Sequence, residues 1–586
     1  MKNSVLMHLG PGKVRQTGPL GKMLDRSIAN RLKKVDYVNL VDPFRFRYEN
    51  DNAWRCEFWG KVVRSAILSW YGNPDPELRQ IIKSTVDDML STQTPDGCIS
   101  SYPAELQTRG WDVWGRKYVL LALIRYYNFI ERDERIPAAC SRLLSHLMTQ
   151  LGPDAKDILD SGCHDGLASS SILDAVVETW RITHERKFLD YAQWIVSRGG
   201  SKKHNIFTAV LNGVPPCELG NGKAYEMMSC FQGLAELYVE TGKPEYLEAV
   251  KVFYKAVRDR EIFVTGVGGS KDSVGEYWND TALRQLETGC GGFGETCVTV
   301  TWIHYCECVL RLTGDTGVAD EIERSLYNGI LGGVNVDGAT WVHVNPTPLA
   351  GVSCKKSPPD QIEDCFKKPF DNHDCCRAQG PEGLAMSPYN AAFTQDDTLF
   401  INFYEDADID FVSPGGQSGR IRIEGGYPVS ANVRIDIRLE KKECFCLALR
   451  IPGWSGKETA VYHDGKNVFP KNLSGEAGQY FRFQTEWQAE DSLVIRFDRK
   501  IRILRNEDRA AVLCGPLVMV QDRRFGTPDS VLHDLDFELA ATPGSCLAAL
   551  MNLHGQCLID YASAGKPFDP ENTLCIWMKT KDSARG

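Results

Sequence analysis

Two adjacent cysteines, Cys375 and Cys376, stand in the stretch NHDCCRAQG (372–380) and could act as nucleophile, metal ligands or disulfide halves. They are not expected to bond to each other, because the small ring closed through one peptide bond is strained. In a chain with 20 cysteines, roughly 0.6 adjacent pairs arise by chance. The pair therefore indicates a site only if other residues join it.

A second group with ligand chemistry is Glu295-Thr296-Cys297, about 78 residues upstream of the cysteine pair. Together the two groups offer one carboxylate and three thiolates, all donor types that zinc accepts. The spacing is not that of a zinc finger, so a metal site would need distant segments to converge. In the alternative, Glu295 stabilises a helix N-terminus and the cysteines are buried apolar groups. The residues alone leave both interpretations open.

The elements that must position these residues are mainly helices up to about residue 335. Apolar residues recur at helical spacing in stretches such as 56–71, 113–130, 170–183 and 223–242. The joins ITHERKFLDYA, ETGKPEYLEAV and LTGDTGVADEIER each end one helix and begin another with an acidic first turn. About twelve helices in recurring hairpins predict a closed (α/α)6 barrel.

From about residue 393 the apolar period changes to two. Segments such as GRIRIEGGYPVSANVRIDIRLE and SLVIRFDRKIRIL alternate in strand fashion, with Gly, Asn and Asp turns between them. We therefore predict a multidomain α+β chain with an (α/α)6-barrel catalytic domain (1–392), a β-sandwich domain (393–522) and a C-terminal β-rich or irregular segment (523–586).

Composition narrows the class of protein. The chain of 586 residues is 43% hydrophobic and 25% charged, as expected of a soluble multidomain protein. Its net charge of −10 argues against a nucleic-acid partner, which requires a basic face. We also expect no membrane span and mostly reduced cysteines. The N-terminal stretch has no visible signal peptide, and we expect a bacterial protein of the periplasm or cytoplasm.

Several motifs together resemble glycoside hydrolase family 127, the β-L-arabinofuranosidase-like family. They are VGGSKDSVGEYW, GETC, the cysteine pair, LFINFYEDADIDF, WVHVNPTPL, LALRIPGW and CGPLVMVQD. The resemblance as a whole extends from about residue 40 to 522. The resemblance implies an (α/α)6 barrel followed by β-sandwich modules, and a retaining glycosidase that acts on an oligosaccharide of the plant cell wall.

The resemblance also implies roles for individual residues. Glu276, in the GE motif, matches the general acid/base, and Cys375 matches a nucleophile that is also a zinc ligand. Glu295, Cys297 and Cys376 match the remaining zinc ligands. Three rival carboxylates, Glu287, Asp272 and Asp280, are nearby in the sequence; we rank Glu276 first because of the motif.

The sequence departs from the family where the sugar would bind. Arg377-Ala378-Gln379-Gly380 follows the cysteine pair in place of Pro-Pro-Asn, and Lys117 and Lys223 stand where the family has histidines. If Lys117, Lys223 and Arg377 face the pocket, the site suits a sugar with a carboxylate. This raises the acidic furanose of pectin, aceric acid in rhamnogalacturonan II, as a hypothesis.

Aromatic residues near the predicted helix starts are candidates for stacking on sugar rings. We expect Trp59, Trp114 and Tyr277 to flank the pocket, with Trp111 and Trp278 as further candidates; each could equally be a core residue.

Three alternatives remain. One is a β-L-arabinofuranosidase that acts on neutral arabinosides. Another is an epimerase or lyase on the same barrel, which would not need the carboxylate and three cysteines together. The third is a non-catalytic glycan-binding protein that keeps zinc for folding. Oligomeric state is not predictable from these patterns.

Overall fold

The computed structural model describes residues 6–50, 53–269, 276–284, 286, 293–346, 352–355, 374–470, 478–569 and 571–581. Within these ranges the N-terminal two thirds of the chain is helical and the remainder is built from β-sheets. The helices, numbered α1 to α16, are Pro19–Asn30, Tyr37–Phe46, Phe58–Gly72, Pro76–Ser91, Asp112–Phe129, Arg135–Gln150, Leu167–Ser170, Leu173–Thr183, Arg186–Arg198, Ile206–Ala209, Ala224–Thr241, Pro244–Arg260, Thr296–Thr313, Thr316–Arg324, Leu331–Gly333 and Cys375–Tyr389.

Six of these helices form a closed inner ring. In order around the ring they are α3, α5, α8, α11, α13 and α16, and α16 packs back against α3. The helices α4, α6, α9, α12 and α14 pack outside their partners, and the N-terminal helix α1 covers α16. The ring confirms the predicted (α/α)6 barrel.

The sequence of each helix fits its layer. The inner helix α5 is buried around most of its circumference, because it contacts both ring neighbours and an outer helix. The outer helix α9 buries only one stripe, including Phe188, Ala192 and Ile195, and exposes the opposite face. Inner helices also begin at one end of the barrel, so their N-termini share one side of the molecule.

The strands, numbered β1 to β23, are Met7–His8, Val14–Gln16, Phe293–Glu295, Val344–Pro346, Ser353–Cys354, Ala392–Gln395, Thr398–Ile401, Ala407–Val412, Ser418–Glu424, Asn432–Leu439, Glu443–Ile451, Ala460–His463, Lys466–Asn467, Gln479–Trp487, Glu490–Arg496, Ile501–Asn506, Arg509–Cys514, Leu517–Asp522, Phe537–Leu539, Ala549–Asn552, Cys557–Asp560, Thr573–Cys575 and Met578–Lys579.

Two sheets make the sandwich. One has the strand order β1-β6-β7-β11-β14 and the other β13-β12-β15-β10-β9-β8-β2. Strands β9 and β10 alternate buried and exposed residues, as their sequence alternation predicted. The N-terminal strands β1 and β2 pair with β6 and β8, so the first described residues belong to the sandwich and not to the barrel.

A third sheet follows the sandwich, with the order β16-β17-β18-β21-β20-β19 and with β5, β22 and β23 attached. Strands β16 to β18 (501–522) thus belong to the C-terminal sheet, whereas the sequence pattern had assigned them to the middle domain. Local alternation could not show this, because it marks a strand without naming its sheet. Among the described helices, none has the length and apolarity required to cross a bilayer.

Candidate active site

A cavity of about 520 Å³ opens at the end of the barrel where the inner helices begin. Its wall combines carboxylates, lysines, histidines, aromatic rings and a thiol. The lining residues are Trp54, Glu57, Lys61, Trp111, Trp114, Cys163, His164, Lys223, Tyr225, Glu226, Glu276, Tyr277, Glu295, His343, Asp374 and Cys375.

The residues that cap inner helices supply much of this wall. The N-cap residues of α3, α5, α11, α13 and α16 are Glu57, Trp111, Lys223, Glu295 and Asp374, and all five line the cavity. The positive ends of five helix dipoles therefore point toward one volume. This field favours an anion, such as a thiolate or carboxylate, at the centre of the cavity.

Glu295 and the cysteine pair meet in the structure. The Sγ atoms of Cys375 and Cys376 each lie 3.5 Å from Oε1 of Glu295 and 3.9 Å from each other. Although Glu295 is the N-cap residue of α13, its side chain makes no capping hydrogen bond. Its carboxylate is turned toward the thiols, which counts against the helix-capping interpretation.

Cys297 lies in the first turn of α13 and is fully buried. Its thiol interacts with those of Cys375 and Cys376, so Cys297 lies beside the other three predicted ligands, although it is not among the four residues whose donor atoms lie within 4.8 Å of one another. Hydrogen bonding to Cys297 raises the pKa of Cys375 well above its ordinary value. Burial, followed by the charge of Cys375, does the same for the pKa of Glu295. Four such groups so close together need protons or a cation to compensate their charges.

Two further residues complete this cluster and were missed in the sequence. His343 precedes β4, which pairs with β3, so that its carbonyl accepts a hydrogen bond from Thr296 N at 2.9 Å. Nε2 of His343 lies 3.9 Å from Oε1 of Glu295, and its Nδ1 lies 3.5 Å from Oδ2 of Asp374. Asp374 caps α16 by accepting from Cys376 N at 2.7 Å. The only signal in the sequence was WVHVNPTPL, a motif used for the resemblance and not for chemistry.

Glu295, His343, Cys375 and Cys376 form a group whose donor atoms all lie within 4.8 Å of one another, an arrangement that could hold a metal ion. Within the described part of the chain, Oε2 of Glu295 and both ring nitrogens of His343 have no hydrogen-bond partner, although they are buried. Buried polar atoms are normally satisfied, so these unpartnered ligand atoms fit a site that binds a cation.

A second cluster shows the contrast. Cys217, Glu261 and Asp280 are also close enough to hold a metal. However, Glu261 already accepts from three backbone N–H groups, and Asp280 pairs with Arg260 at 2.7 Å. The carboxylates of this group already have partners within the protein, whereas the cysteine cluster contains buried polar atoms without hydrogen bonds.

Glu276 lies against the first turn of α11. Its backbone carbonyl accepts a hydrogen bond from Ala224 N at 3.0 Å. The next residue, Tyr277, forms an isolated antiparallel β-bridge with Lys223. The side chain of Glu276 forms an ion pair with Lys223, which is 6% exposed. Burial raises the pKa of Glu276, but the charge and hydrogen bond of Lys223 outweigh it and lower the pKa. Glu276 is therefore held as a carboxylate.

Of the six residues predicted to bind substrate, Lys223, Trp114 and Tyr277 line the cavity. Trp114 donates from Nε1 to Oε2 of Glu57 at 2.5 Å, which holds the indole in the wall. Nζ of Lys223 lies 5.0 Å from the ring centroid of Tyr277. Trp114 and Lys223 lie at the starts of α5 and α11, and Tyr277 lies in the segment that pairs with Lys223.

The other three lie outside the cavity wall. Trp59 is fully buried and donates to Thr85 at 3.0 Å, so it packs between α3 and α4. Nζ of Lys117 lies behind the wall, 3.5 Å from the ring centroid of Trp114. Burial lowers the pKa of Lys117 well below its ordinary value. Arg377 is 5% exposed within α16. Hence Lys117 and Arg377, two of the three cations expected in the cavity, do not line it, because they lie on other faces of their helices.

The stretch Arg377-Ala378-Gln379-Gly380 has a structural role in α16. Oε1 of Gln379 accepts from the hydroxyl of Tyr225 at 2.7 Å, and Tyr225 lines the cavity. A side chain at Gly380 would collide with the ring of Trp341. The residues that depart from the family pattern therefore pack against Tyr225 and Trp341 and help to hold the cavity wall in place.

Several cavity residues were not found in the sequence. Lys61, on α3, is 1% exposed and pairs with Glu57 at 3.0 Å. His164 stacks edge-on against Trp111 with ring centroids 5.4 Å apart. Trp54 is 56% exposed and stands at the cavity. The proximity of these residues to helix starts was a usable signal, since inner-helix N-termini surround the site.

The rival carboxylates can be placed in part. Asp280 pairs with Arg260 and does not line the cavity. Asp272 and Glu287 lie outside the described residues. Glu226, in the first turn of α11, is a further buried carboxylate of the cavity wall that the sequence did not single out.

The barrel, the sandwich behind it and a cavity lined by carboxylates and aromatic rings are typical of a carbohydrate-active enzyme. A family model described as "Beta-L-arabinofuranosidase, GH127 catalytic domain" matches residues 15–388, and one for the GH127 middle domain matches 398–499. Because the first match covers more than half of the chain, the chain belongs to glycoside hydrolase family 127. It is therefore a glycoside hydrolase with a glycan substrate, as the motif resemblance predicted.

Known relatives match this chain over most of its length. A non-reducing end β-L-arabinofuranosidase of Bifidobacterium longum subsp. longum is 22% identical over 531 residues, covering 79% of this chain and 76% of the relative. A GH127 β-L-arabinofuranosidase structure from Geobacillus stearothermophilus T6 superposes with a TM-score of 0.75 at 18% identity, covering 97% of this chain and 100% of that chain. A second GH127 β-arabinofuranosidase structure gives 0.77 at 18% identity, covering 100% and 99%. At these identities the structural likeness supports the fold alone.

Proposed function

We propose that the protein is a retaining exo-glycosidase that releases a terminal furanose from a plant cell-wall glycan of the pectin type. The observation that carries this proposal is that a thiol, Cys375, and a carboxylate, Glu276, line one cavity closed off by the helical ring. A pocket at the end of a helical barrel suits the end of a glycan chain better than its middle.

In the first step, the sulfur of Cys375 attacks the anomeric carbon and forms a C–S bond. The C–O bond to the leaving group breaks, and Glu276 gives its proton to that oxygen. In the second step, Glu276 takes a proton from water, the water oxygen attacks the same carbon, and the C–S bond breaks. Two inversions retain the configuration, as in glycosidases whose nucleophile is a carboxylate.

The donor set of the cysteine cluster fits zinc. Donors around tetrahedral zinc are expected about 3.5 Å apart for an S–O pair and about 3.8 Å for an S–S pair, given the usual bond lengths. The separations here are 3.5 Å and 3.9 Å. Glu295, Cys297, Cys375 and Cys376 would hold the ion. Bound zinc keeps thiols deprotonated at neutral pH, which supplies the nucleophile without a separate base.

The ion pair with Lys223 tunes Glu276. Since Lys223 stabilises the carboxylate, it favours Glu276 as the base of the second step. As the acid of the first step, Glu276 must hold a proton, and this requires Lys223 to move or to be engaged by the substrate. Burial of Glu276 supports that protonated state once the lysine is engaged.

The charges of the cavity favour an uncharged furanose, such as a β-L-arabinofuranoside. Its wall carries five carboxyl groups, Glu57, Glu226, Glu276, Glu295 and Asp374, against the two lysines Lys61 and Lys223. Each lysine is already paired with a carboxylate. Because both lysines are paired, a sugar carboxylate would have to displace Glu57 or Glu276 from its lysine, whereas an uncharged sugar leaves both ion pairs intact.

An acidic furanose, such as aceric acid of rhamnogalacturonan II, stays a second candidate because of Lys223. This buried lysine contacts Glu276 inside the cavity, and a substrate carboxylate could take the place of Glu276 as its partner. A comparison of kcat/KM on β-L-arabinofuranosyl and acidic-furanoside oligosaccharides separates the candidates. Clear preference for the neutral substrate would eliminate the acidic one.

Zinc analysis combined with kinetics of Cys375→Ser tests the mechanism. We expect one zinc per chain in the wild-type enzyme, and turnover reduced by at least about 1000-fold in the variant with its fold intact. The matched control is Cys306→Ser, which changes a buried cysteine of α13 that does not line the cavity. Unchanged turnover in Cys375→Ser would exclude the nucleophile role. Zinc without turnover in the wild-type protein on any glycan would favour the non-catalytic glycan-binding alternative.

A further inference from the structure

His343 is the donor of the cysteine cluster to which neither the motifs nor the proposed reaction gives a role. Its side chain is 4% exposed, and neither ring nitrogen makes a hydrogen bond within the part of the chain that the structure describes. Its Nε2 belongs to the group of four donor atoms that lie within 4.8 Å of one another. A buried imidazole whose Nδ1 faces Asp374 at 3.5 Å, and whose Nε2 lies 3.9 Å from Oε1 of Glu295 without a hydrogen bond, points to a cation among these groups.

The position of His343 is set by rigid elements on both sides. Its backbone carbonyl accepts from Thr296 N at 2.9 Å at the start of α13, and the Sγ of Cys376 lies 3.4 Å from the same oxygen. Asp374 stands behind the ring, with Oδ2 3.5 Å from Nδ1. A carboxylate behind one imidazole nitrogen, with the other nitrogen facing thiols, is the arrangement by which proteins orient a metal-bound histidine.

The four residues of the donor group and the adjoining Cys297 give five possible donors, whereas a structural zinc site has four ligands. Glu295, Cys297, Cys375 and Cys376 already account for four, so His343 is in excess while all three thiolates are available. The excess disappears when Cys375 reacts. Once its sulfur is bonded to a sugar carbon it is a thioether without negative charge, and it ceases to be an effective ligand for zinc.

We propose that His343 is an exchange ligand: its Nε2 replaces the sulfur of Cys375 on the metal while Cys375 carries the sugar. The C–S bond formed by Cys375 removes one anionic donor, and the lone pair of Nε2 fills the position, with the Nδ1 proton held by Asp374. When water breaks the C–S bond, the thiolate returns and His343 is released. Coordination by four protein donors is thereby kept through both steps. This inference rests on the zinc-bound thiol of the proposed function.

The test measures metal binding directly. Zinc stoichiometry and affinity are determined by elemental analysis and by competition with a chromophoric chelator. The proteins are the wild type, His343→Gln, Cys375→Ala and the double variant. We expect His343→Gln to bind zinc like the wild type. Cys375→Ala keeps one zinc with affinity reduced about 10- to 100-fold, and the double variant loses a further 10- to 100-fold. The control His164→Gln, in the Cys375→Ala background, changes a cavity histidine outside the donor group and leaves the affinity unchanged.

X-ray absorption at the zinc edge tests the same inference without relying on the double variant. Scattering from an imidazole ring should be absent in the wild-type protein and present in Cys375→Ala. Equal zinc affinity of Cys375→Ala and the double variant, or no imidazole signal in Cys375→Ala, overturns the exchange role. Loss of all zinc from Cys375→Ala, or weakened zinc in His343→Gln alone, also overturns it. A wild-type protein that binds no zinc instead refutes the metal site of the proposed function.

Discussion

At the scale of single residues, the partner of a side chain decides its chemistry more than its type does. Lys117 and Lys223 looked equivalent in the sequence, yet one is sealed behind Trp114 and the other contacts Glu276 inside the cavity. Burial, helped by the charges of Arg64 and Lys61, lowers the pKa of Lys117, whereas two neighbouring carboxylates, Glu226 and Glu276, overcome burial and raise the pKa of Lys223. Lys223 is therefore the lysine that lowers the pKa of Glu276, the proposed acid/base residue.

The change Lys223→Met tests that control. Because the positive charge lowers the pKa of Glu276 against the effect of burial, its removal raises this pKa. The acid of the first step then stays protonated to higher pH, so the basic limb of the kcat/KM profile moves upward by about one to three pH units. The measurement is kcat/KM against pH. The matched control, Lys117→Met, leaves the limb in place. A limb that stays or moves downward in Lys223→Met contradicts the assignment.

At the scale of elements, α16 has two tasks. Its N-terminus presents Cys375 and Cys376, and two turns later Glu382, which is fully buried, ties the inner ring together. Glu382 contacts Arg64 of α3 at 3.3 Å, His304 of α13 at 3.0 Å and Arg125 of α5. Burial opposes its ionisation, but these cations lower the pKa of Glu382 far below the ordinary value. One carboxylate thus joins four of the six inner helices.

We expect Glu382→Gln to destabilise the barrel. The substitution leaves the buried Arg64 and the part-buried Arg125 without their anion, which costs about 3–5 kcal/mol. Calorimetry should show a lower midpoint of thermal unfolding, and zinc affinity should fall because α16 carries two of the proposed ligands. The control Glu486→Gln removes an exposed partner of Lys442 and has little effect on the midpoint. Equal midpoints for Glu382→Gln and the wild type would show that the ring does not depend on this carboxylate.

At the scale of the whole molecule, the sandwich is fastened to the barrel by a buried ion pair. Arg450, on β11, is fully buried and donates to Glu323 of α14 at 2.7 Å and to Asp320 of the same helix. Tyr427 adds a hydrogen bond to Glu323 at 2.6 Å. The strands β1 and β2 add a second connection, because they precede the barrel in sequence but belong to the sandwich sheets.

Arg450→Met should uncouple the two domains. Removal of the guanidinium leaves the buried Glu323 and the part-buried Asp320 without their cation, at a cost of about 3–5 kcal/mol. We expect a lower unfolding midpoint and a calorimetric transition that broadens or splits, because barrel and sandwich no longer unfold together. The control is Arg420→Met, which removes an exposed partner of Asp410 on the sandwich surface. A single unshifted transition in Arg450→Met would refute the coupling.

The sequence by itself determined the helical barrel, the sandwich and the family, because helical and strand periods and contiguous motifs are local properties of the chain. It also led to the proposed roles of Glu276, Glu295, Cys297, Cys375 and Cys376, because these residues stand in recognisable motifs. The predicted end of the sandwich came too late in the chain, because the alternation of a strand does not show which sheet the strand joins. Lys117 and Arg377 were expected in the cavity, because the face of a helix that lines the cavity cannot be assigned until the packing of the ring is known.

Only the tertiary structure decided which side chains meet. His343 joins the cysteine cluster because β3 and β4 pair, and Asp374 joins it because it caps α16. Lys61, His164 and Trp54 reach the cavity because inner helices begin at one end of the barrel. Contacts between segments separated by 50 to 300 residues depend on how the elements pack, and no local pattern encodes that packing.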